Sequence, residues 1–501
     1  MRWVAWGYPG VVHDRHTVPV PKFDMLTESG VRLMTRLLTF SVLSVTHLIA
    51  LPNASARTPT NLILIMADDV GWECFSSYGG QDYQTPRLDQ LAADGIRFSH
   101  CYSQPLCTPS RVQIMTGEYN FRNYTHFGYL SPDQKTFGHR LGELGYTNAI
   151  AGKWQLNGLY HQAANHNDPL RPRKAGFDES MLWQVTQPKS KGERYWNPLI
   201  EHNGVILDPS QTDQKYGPDL FTDFVCDFID RNKQRPFFVY YPMVLVHDPF
   251  VPTPKDTSDL DPVKPNRSPK SDAGRKKNFV AMVNYMDGLV GRIVDQTVQS
   301  GVADNTLIIF TADNGTNRAI RSRWNDRTVR GGKGTMPDAG THVPMIAYRK
   351  GQTPTGVVVD DLIDFTDIYP TLVEVAGGTA GNPRSGEVES CDGRSFAPQL
   401  RGEPGHPRSW VLCHYHPHWG GNLPHGAFVR NSHHKRYRDG RAYDVKNDMD
   451  EINDLGDQSE RWPESELFDN VLRSLPPVPP NLRNNESKDR PVYPNHNLYP
   501  Q

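Results

Sequence analysis

Cysteine is scarce, with six residues in 501: Cys74, Cys101, Cys107, Cys226, Cys391 and Cys413. Their spacing excludes a disulfide-dense scaffold and supplies no CxxC pair for a zinc site, while leaving room for one or two isolated bridges, Cys391 with Cys413 among them. Charge excess is also missing. With 54 basic and 56 acidic residues, nothing pulls the chain as a whole toward nucleic acid or an anionic membrane, so any anion site has to be local. A comfortable transmembrane run is absent near the N-terminus too. The apolar stretch Leu37 to Leu51 is short and is broken by Ser, Thr and His.

That stretch has another use. Arg32 and Arg36 precede it, and Pro52 and the small triplet Ala54-Ser55-Ala56 follow it, which is the order of a secretory signal peptide. Cleavage after Ala56 would send the protein to the periplasm or outside the cell, with no stable membrane insertion afterwards; an N-terminal anchor or a buried helix is the alternative. Residues 1–33 stand ahead of the signal pattern, so translation from Met25 or Met34 is expected. The length allows one large domain and a smaller one.

The mature chain opens with NLILIMADDVGW, an apolar run over Leu62–Ala67 that stops at Asp68 and Asp69. Such a run reads as a strand buried on both faces. Next, Thr85 can cap a helix that Pro86 starts and Gly95 ends. Three further helix-then-strand units follow: TFGHRLGELG with YTNAIAGKW, DLFTDFVCDFIDRNKQ with RPFFVYYPMVLVH, and KKNFVAMVNYMDGLVGRIVDQTVQSG with NTLIIFTADNG. The fold class is therefore α/β, a large and mostly parallel sheet flanked by helices. The strand candidates end in Asp68 and Asp69, Lys153, His247, and Asp313 with Asn314, and in open α/β sheets ligands sit beyond the carboxyl ends of the strands. Polar stretches near 157–214 and 250–275 read as surface loops. From Trp410 the texture becomes short alternating segments with a turn at Asp439-Gly440, which predicts a smaller antiparallel sheet plus helix. The boundaries follow: an extension and signal over 1–56 (signal 34–56), a catalytic domain over 57–409, a C-terminal subdomain over 410–475, and an extended or disordered tail over 476–501.

Asp68, Asp69, Asp313 and Asn314 offer only oxygen donors, which suit a hard cation such as calcium or magnesium rather than zinc. A strand ending in two acids can equally be capping a turn. CTPSR from Cys107 to Arg111 has too few residues between Cys and Arg for a tyrosine-phosphatase loop, and its surroundings are not papain-like. RGGKGT at Arg330–Thr335 lacks the Ser or Thr and the earlier Gly of a P-loop.

CTPSR does match the CxPSR signature of the sulfatase family. NLILIMADDVGW, the GKW at Gly152–Trp154, His247 before Asp-Pro, TADNG at Thr311–Gly315 and RGGKGT stand in that family's order, and the resemblance runs from Asn61 to the segment GRAYDVKNDMDEINDL. The resemblance implies that Cys107 is oxidised during export to Cα-formylglycine, with Pro109 and Arg111 supplying the rest of the signal read by a maturation enzyme. The hydrated aldehyde attacks sulfur with one hydroxyl, and the second hydroxyl then drives out sulfate and regenerates the aldehyde. By the same resemblance Asp68, Asp69, Asp313, Asn314 and an oxygen of modified Cys107 bind one calcium ion, which polarises the sulfate and lowers the pKa of the diol. Arg111 holds the formylglycine oxygen, Lys153 and Lys333 neutralise sulfate oxygens, His247 protonates the leaving alcohol, and Asp313 takes the proton of the attacking hydroxyl.

Two departures stand out. Gln155 replaces the histidine usual two residues after the GKW lysine, keeping a hydrogen bond but no proton exchange. DAGTHVP replaces a Glu-Gly-Gly-x-Arg-Val-Pro run and brings in Asp338 and His342. Gln155 and His342 are candidate substrate contacts, as is Trp419, on which a sugar ring can stack; the neighbouring His414, His416 and His418 read as a polar pocket wall or a transition-metal site. The function expected is a sulfuric ester hydrolase acting on an aryl or carbohydrate sulfate. The alternatives are a formylglycine-dependent phosphonate or phosphodiester hydrolase, and a catalytically silent protein that binds sulfated glycans.

Overall fold

The computed structural model describes residues 59–186, 192–379, 391–419, 423–477 and residue 493. The extension and signal segment over 1–56 and nearly all of the tail from 476 lie outside these residues. Among them no helix is long and apolar enough to cross a membrane.

Ten strands form one mixed sheet: β1 Asn61–Ala67, β2 Ile96–Tyr102, β3 Thr147–Lys153, β4 Glu179–Trp183, β5 Glu201–His202, β6 Val205–Ile206, β7 Phe237–Pro242, β8 Thr306–Ala312, and, after the ribbon β9 Arg321–Trp324 and β10 Arg327–Arg330, β11 His342–Tyr348 and β12 Val357–Asp364. Their order is β12-β2-β11-β8-β1-β7-β3-β4-β5-β6. All seven residues of β1 are buried, because β7 and β8 pair with it in parallel on either side and helices cover both faces. The run β8-β1-β7-β3-β4 is parallel throughout.

Two parts of this sheet differ from the sequence reading. β11 runs antiparallel to both β2 and β8, so the large sheet is mixed at that point. Within the stretch taken as surface loop, β4 joins β3 in parallel and β5 and β6 complete the edge. These strands are two to five residues long, and such short runs have no periodicity to separate them from loop. The stretch 250–275 does lack strands and reaches a helix only at Asp272. Helix α1, Pro86–Asp94, begins after Thr85 as expected, but the Thr85 side chain makes no capping bond. Its hydroxyl instead accepts from the Ser76 amide at 3.2 Å.

Helix α2, Cys107–Thr116, is buried at all ten positions and ends at Gly117, whose φ of 70° leaves the helix in the left-handed region. A Cβ there would meet Tyr369 and Cys391 at 2.9 and 3.0 Å, so only glycine both turns and fits. No disulfide forms: all six cysteines are free thiols. The expected partners Cys391 and Cys413 belong to different clusters. Cys391 lies against the end of α2, and the Cys413 thiol donates to Gln104 Oε1 at 3.1 Å.

The second sheet holds β13 Val411–Tyr415, β14 Gly426–Arg430, β15 His434–Tyr437 and β16 Ala442–Asp444, all antiparallel in chain order. Side chains alternate across it. Leu412, Ala427 and Val429 pack on Phe468, Val471 and Leu472 of the helix Ser465–Ser474, and on Tyr119 and Phe121. Cys413, Tyr415 and Phe428, on the other face, pack with Leu106 and Cys107. The small sheet thus forms part of the wall around the start of α2.

At the head of β11, His342 stacks on Trp72 with centroids 4.7 Å apart and donates Nε2–H to the Ser99 carbonyl at 2.8 Å. Burial pushes its imidazole down to about 4, against the pull of Asp338. An unfolded chain titrates near the ordinary histidine value, so between about pH 6.5 and 4 it binds the proton that the fold refuses, and stability falls as pH drops through that window. His342→Gln keeps a donor for Ser99 without a titrating group. Urea melts at pH 7 and pH 4 should show the variant losing roughly 3 kcal/mol less than wild type over that interval.

Candidate active site

The parallel register brings the chemistry together. Ala67 of β1 pairs with Ala312 of β8, so Asp68 and Asp313 leave the sheet side by side, and the Asp313 amide still bonds Ala67 at 2.9 Å. Asp69 adopts a left-handed φ of 63°, which aspartate tolerates better than most residues, and its amide donates to Asp313 Oδ1 at 3.0 Å. Lys153 ends β3, His247 follows β7, and Lys333 arrives from the segment beyond the β9–β10 ribbon. Cys107 is the first residue of α2, in extended-to-helix register after Leu106. Ser110 braces that start: its hydroxyl accepts from the Gln104 amide at 3.0 Å and reaches the Leu106 carbonyl at 3.0 Å.

The carboxylates, Lys153 and Cys107 are buried and Lys333 and His247 partly so, and the buried charges cannot be left to water. Lys153 Nζ donates to both oxygens of Asp68, at 3.0 and 2.8 Å. Lys333 Nζ donates to Asp69 Oδ2 at 2.5 Å and to His247 Nε2 at 3.0 Å. Burial pushes the Asp68 carboxyl up, but Lys153, Lys333 and Arg194 bring it below its ordinary value. Asp69 and Asp313 are raised, Asp313 strongly, by burial and by the neighbouring carboxylate of Asp68. Burial lowers the Lys153 and Lys333 ammoniums, yet Asp68 and Asp69 respectively hold them above the ordinary lysine value. Burial together with Lys333, Arg194 and Lys153 drives His247 well below its ordinary value. Its Nδ1–H donates to the Asp248 carbonyl at 2.6 Å, which leaves Nε2 as the acceptor facing Lys333. Burial raises the Cys107 thiol, with Lys153 opposing, so as a thiol it is a weak nucleophile.

The donor set fits a hard cation. Asp68, Asp69 and His247 offer ligand atoms that all lie within 4.8 Å of one another. Beside them, Asn314 Nδ2 donates to Asp69 Oδ1 at 2.9 Å, while Asn314 Oδ1 is buried without a hydrogen-bond partner. An orphaned amide oxygen among carboxylates is what a calcium or magnesium ion would satisfy. His247, given an acid role from sequence, belongs to this compact group. Asp313 adjoins it through the bond to the Asp69 amide.

Arg111 is buried and donates to the carbonyls of Trp154, at 3.0 Å, and Lys153. It therefore fixes the end of β3 against α2 and sets where Lys153 stands. Gln155, with φ of 49°, donates to Tyr160 Oη at 2.7 Å and Gln184 Oε1 at 2.9 Å. Trp419 stacks on Phe127 at 4.6 Å and meets Tyr160 edge-on at 4.9 Å, in the cluster that contains Cys107. His342 is enclosed by Trp72, Tyr102 and Ser99. His414, His416 and His418 are buried, and His418 Nδ1–H donates to the Thr125 carbonyl at 2.9 Å.

Two residues carried no signal in the sequence. Thr316 accepts from the Gly71 amide at 2.9 Å and donates to buried Glu73 at 2.5 Å, tying the Asp68-Asp69 turn to the Asp313-Asn314 turn. Arg194 comes from the polar stretch 157–214 and ends 3.9 Å from Asp68 Oδ2. Only the folding of distant segments onto one sheet end brings either to the site.

Known proteins bear directly on this arrangement. A sulfatase from Formosa agariphila is 27% identical over 491 residues, covering 80% of this chain and 85% of that protein. The mouse (Mus musculus) N-acetylgalactosamine-6-sulfatase is 31% identical over 370 residues, 67% of this chain and 65% of its own. A solved structure described as BT4656 in complex with its substrate D-glucosamine-2-N,6-O-disulfate aligns with TM-score 0.64 at 20% identity, covering 83% of this chain and 97% of that one, a likeness of fold. The sulfatase family model matches residues 60–378, and the chain belongs to the sulfatase family.

Proposed function

We propose that the protein hydrolyses the sulfate ester of a sulfated carbohydrate, using Cys107 after conversion to formylglycine and one calcium ion. The observation that carries this reading is the convergence of Cys107, Lys153, Lys333 and His247 on the buried carboxylates at one sheet end. Relatives named for sulfated amino sugars favour a carbohydrate over a simple aryl sulfate. The N-terminal segment with Ala54-Ser55-Ala56 belongs to the same reading, since export is where a maturation enzyme would meet Cys107.

Asp68, Asp69, Asp313 and Asn314 would hold the cation, which when bound supplies a Lewis acid for the sulfate oxygens. Formylglycine supplies a hydrated aldehyde, a better nucleophile here than the thiol whose ionisation burial suppresses. Arg111 keeps α2 registered against Lys153. Lys153 and Lys333, the ammoniums paired with Asp68 and Asp69, would neutralise sulfate oxygens. The leaving alcohol needs a proton. Neutral His247 has none on Nε2, so the charged partner across the 3.0 Å contact, Lys333, is the proton donor and the His247 lone pair holds it in place.

Mass spectrometry of the peptide holding Cys107, after co-expression with a maturation enzyme, should find an aldehyde. Cys107→Ser should lower sulfate release at least about a thousandfold; a plain thiol in protein that still releases sulfate defeats the nucleophile assignment. Faster cleavage of an aryl phosphodiester than of the matching aryl sulfate would reassign the reaction. His247→Ala should cost about a hundredfold on an alkyl sulfate and much less on nitrophenyl sulfate, whose leaving group needs no proton. Asp313→Ala should abolish calcium-dependent thermal stabilisation, and retained stabilisation with full activity would remove it from the ligand set.

A further inference from the structure

We infer that Arg194 is a substrate-contacting residue of this site, binding an anionic oxygen of the substrate. The oxygen belongs either to the scissile sulfate or to a second acidic group, a carboxylate or another sulfate, next to it on the sugar. The inference rests on the proposed sulfatase reading and deepens it.

Arg194 is 8% exposed, and its Nη1 is buried with no hydrogen-bond partner. Its ion-pair partner, Asp68 Oδ2, is 3.9 Å from that nitrogen, beyond hydrogen-bond reach. Asp68 has no need of it, since Lys153 already donates to both of its oxygens. An arginine N–H that is enclosed, aimed into a charged cluster and left unbonded is poised for a ligand, because guanidinium donors in a fixed fork match the oxygens of sulfate and carboxylate.

The side chain is also held in advance. Its guanidinium carbon lies 4.0 Å from the centroid of the Trp183 ring at the end of β4. Behind it, the Gly217 amide bonds the Tyr195 carbonyl at 2.7 Å, and a Cβ at Gly217 would stand 2.2 Å from the Arg194 carbonyl, so the backbone is pressed into place. Tyr195 Oη then lies within 2.8 Å of the Val244 carbonyl and 2.5 Å of the His247 carbonyl. The loop carrying Arg194 is thus bolted to the turn carrying His247. These contacts brace the Arg194 loop against the His247 turn, which is the kind of preorganisation that an anion subsite requires. Arg194 approaches the same Asp68 oxygen, Oδ2, that Lys153 holds, and its charge is felt at His247.

The test uses the full chain and two probes. First, inorganic sulfate is titrated into protein whose Cys107 is still a thiol, for wild type, Arg194→Gln and Arg194→Lys, with melting temperatures measured alongside. Second, kcat/KM on converted enzyme is compared between an aryl monosulfate and a sulfated sugar bearing a carboxylate or second sulfate beside the ester. If the scissile group is the ligand, Arg194→Gln weakens sulfate at least about tenfold and lowers kcat/KM on both substrates. If the neighbouring acid is the ligand, sulfate and aryl sulfate are unaffected and only the acidic sugar loses about tenfold or more. Arg194→Lys, which keeps charge but not the fork, falls between in either case, and it carries the comparison if the glutamine variant does not fold. Folded variants that match wild type in both measurements overturn the assignment of Arg194 alone. Wild-type protein that neither binds sulfate nor cleaves any sulfate ester overturns the proposed function and this inference with it.

Discussion

The structure depends on three carboxylates, Asp68, Asp69 and Asp313, held together in the interior. Removing charged groups from water costs several kcal/mol each unless partners are supplied, and the fold supplies them in a set pattern: Lys153 to Asp68, Lys333 to Asp69, the Asp69 amide to Asp313. Each partner comes from a different part of the chain. The cluster therefore forms only when β1, β3, β8 and the segment after the β9–β10 ribbon are all in place.

Charge also explains why the resting groups are in their present protonation states. The carboxylates keep both lysines charged, and burial together with the lysines and Arg194 strips His247 of its proton. A neutral imidazole whose Nδ1–H is fixed to a carbonyl presents one defined lone pair to Lys333. The small antiparallel sheet completes the arrangement from outside the α/β core. Its Cys413, Tyr415 and Phe428 face packs on Leu106 and Cys107, enclosing the start of α2 and keeping the thiol un-ionised.

Much of this was legible in the chain. The apolar run of β1 ends at Asp68 because a strand covered on both faces must be apolar until it leaves the sheet, and the same logic marked Lys153 and Asp313. The helix beginning at Pro86 followed from the proline in its first turn, though not through a Thr85 cap, and the hairpin after Trp410 from its Asp439-Gly440 turn. β4, β5 and β6 did not, because runs this short look like loop, and the antiparallel insertion of β11 did not, because strand direction is a property of pairing. The Cys391–Cys413 pairing failed for a similar reason: sequence offers the thiols but not their distance.

The sequence by itself determined which chemical groups exist and, through the order of CTPSR, GKW, TADNG and RGGKGT, which family the chain resembles. Local patterns suffice for that, since strand ends and helix starts are set by neighbours a few residues away. Only the tertiary structure decided how those groups are charged and what stands beside them. It placed Thr316 between the two acidic turns, fixed the His247 lone pair toward Lys333, and brought Arg194 out of a polar stretch to within 3.9 Å of Asp68. Burial and through-space charge set protonation, and neither exists until segments 85 to 264 residues apart share one low-dielectric interior.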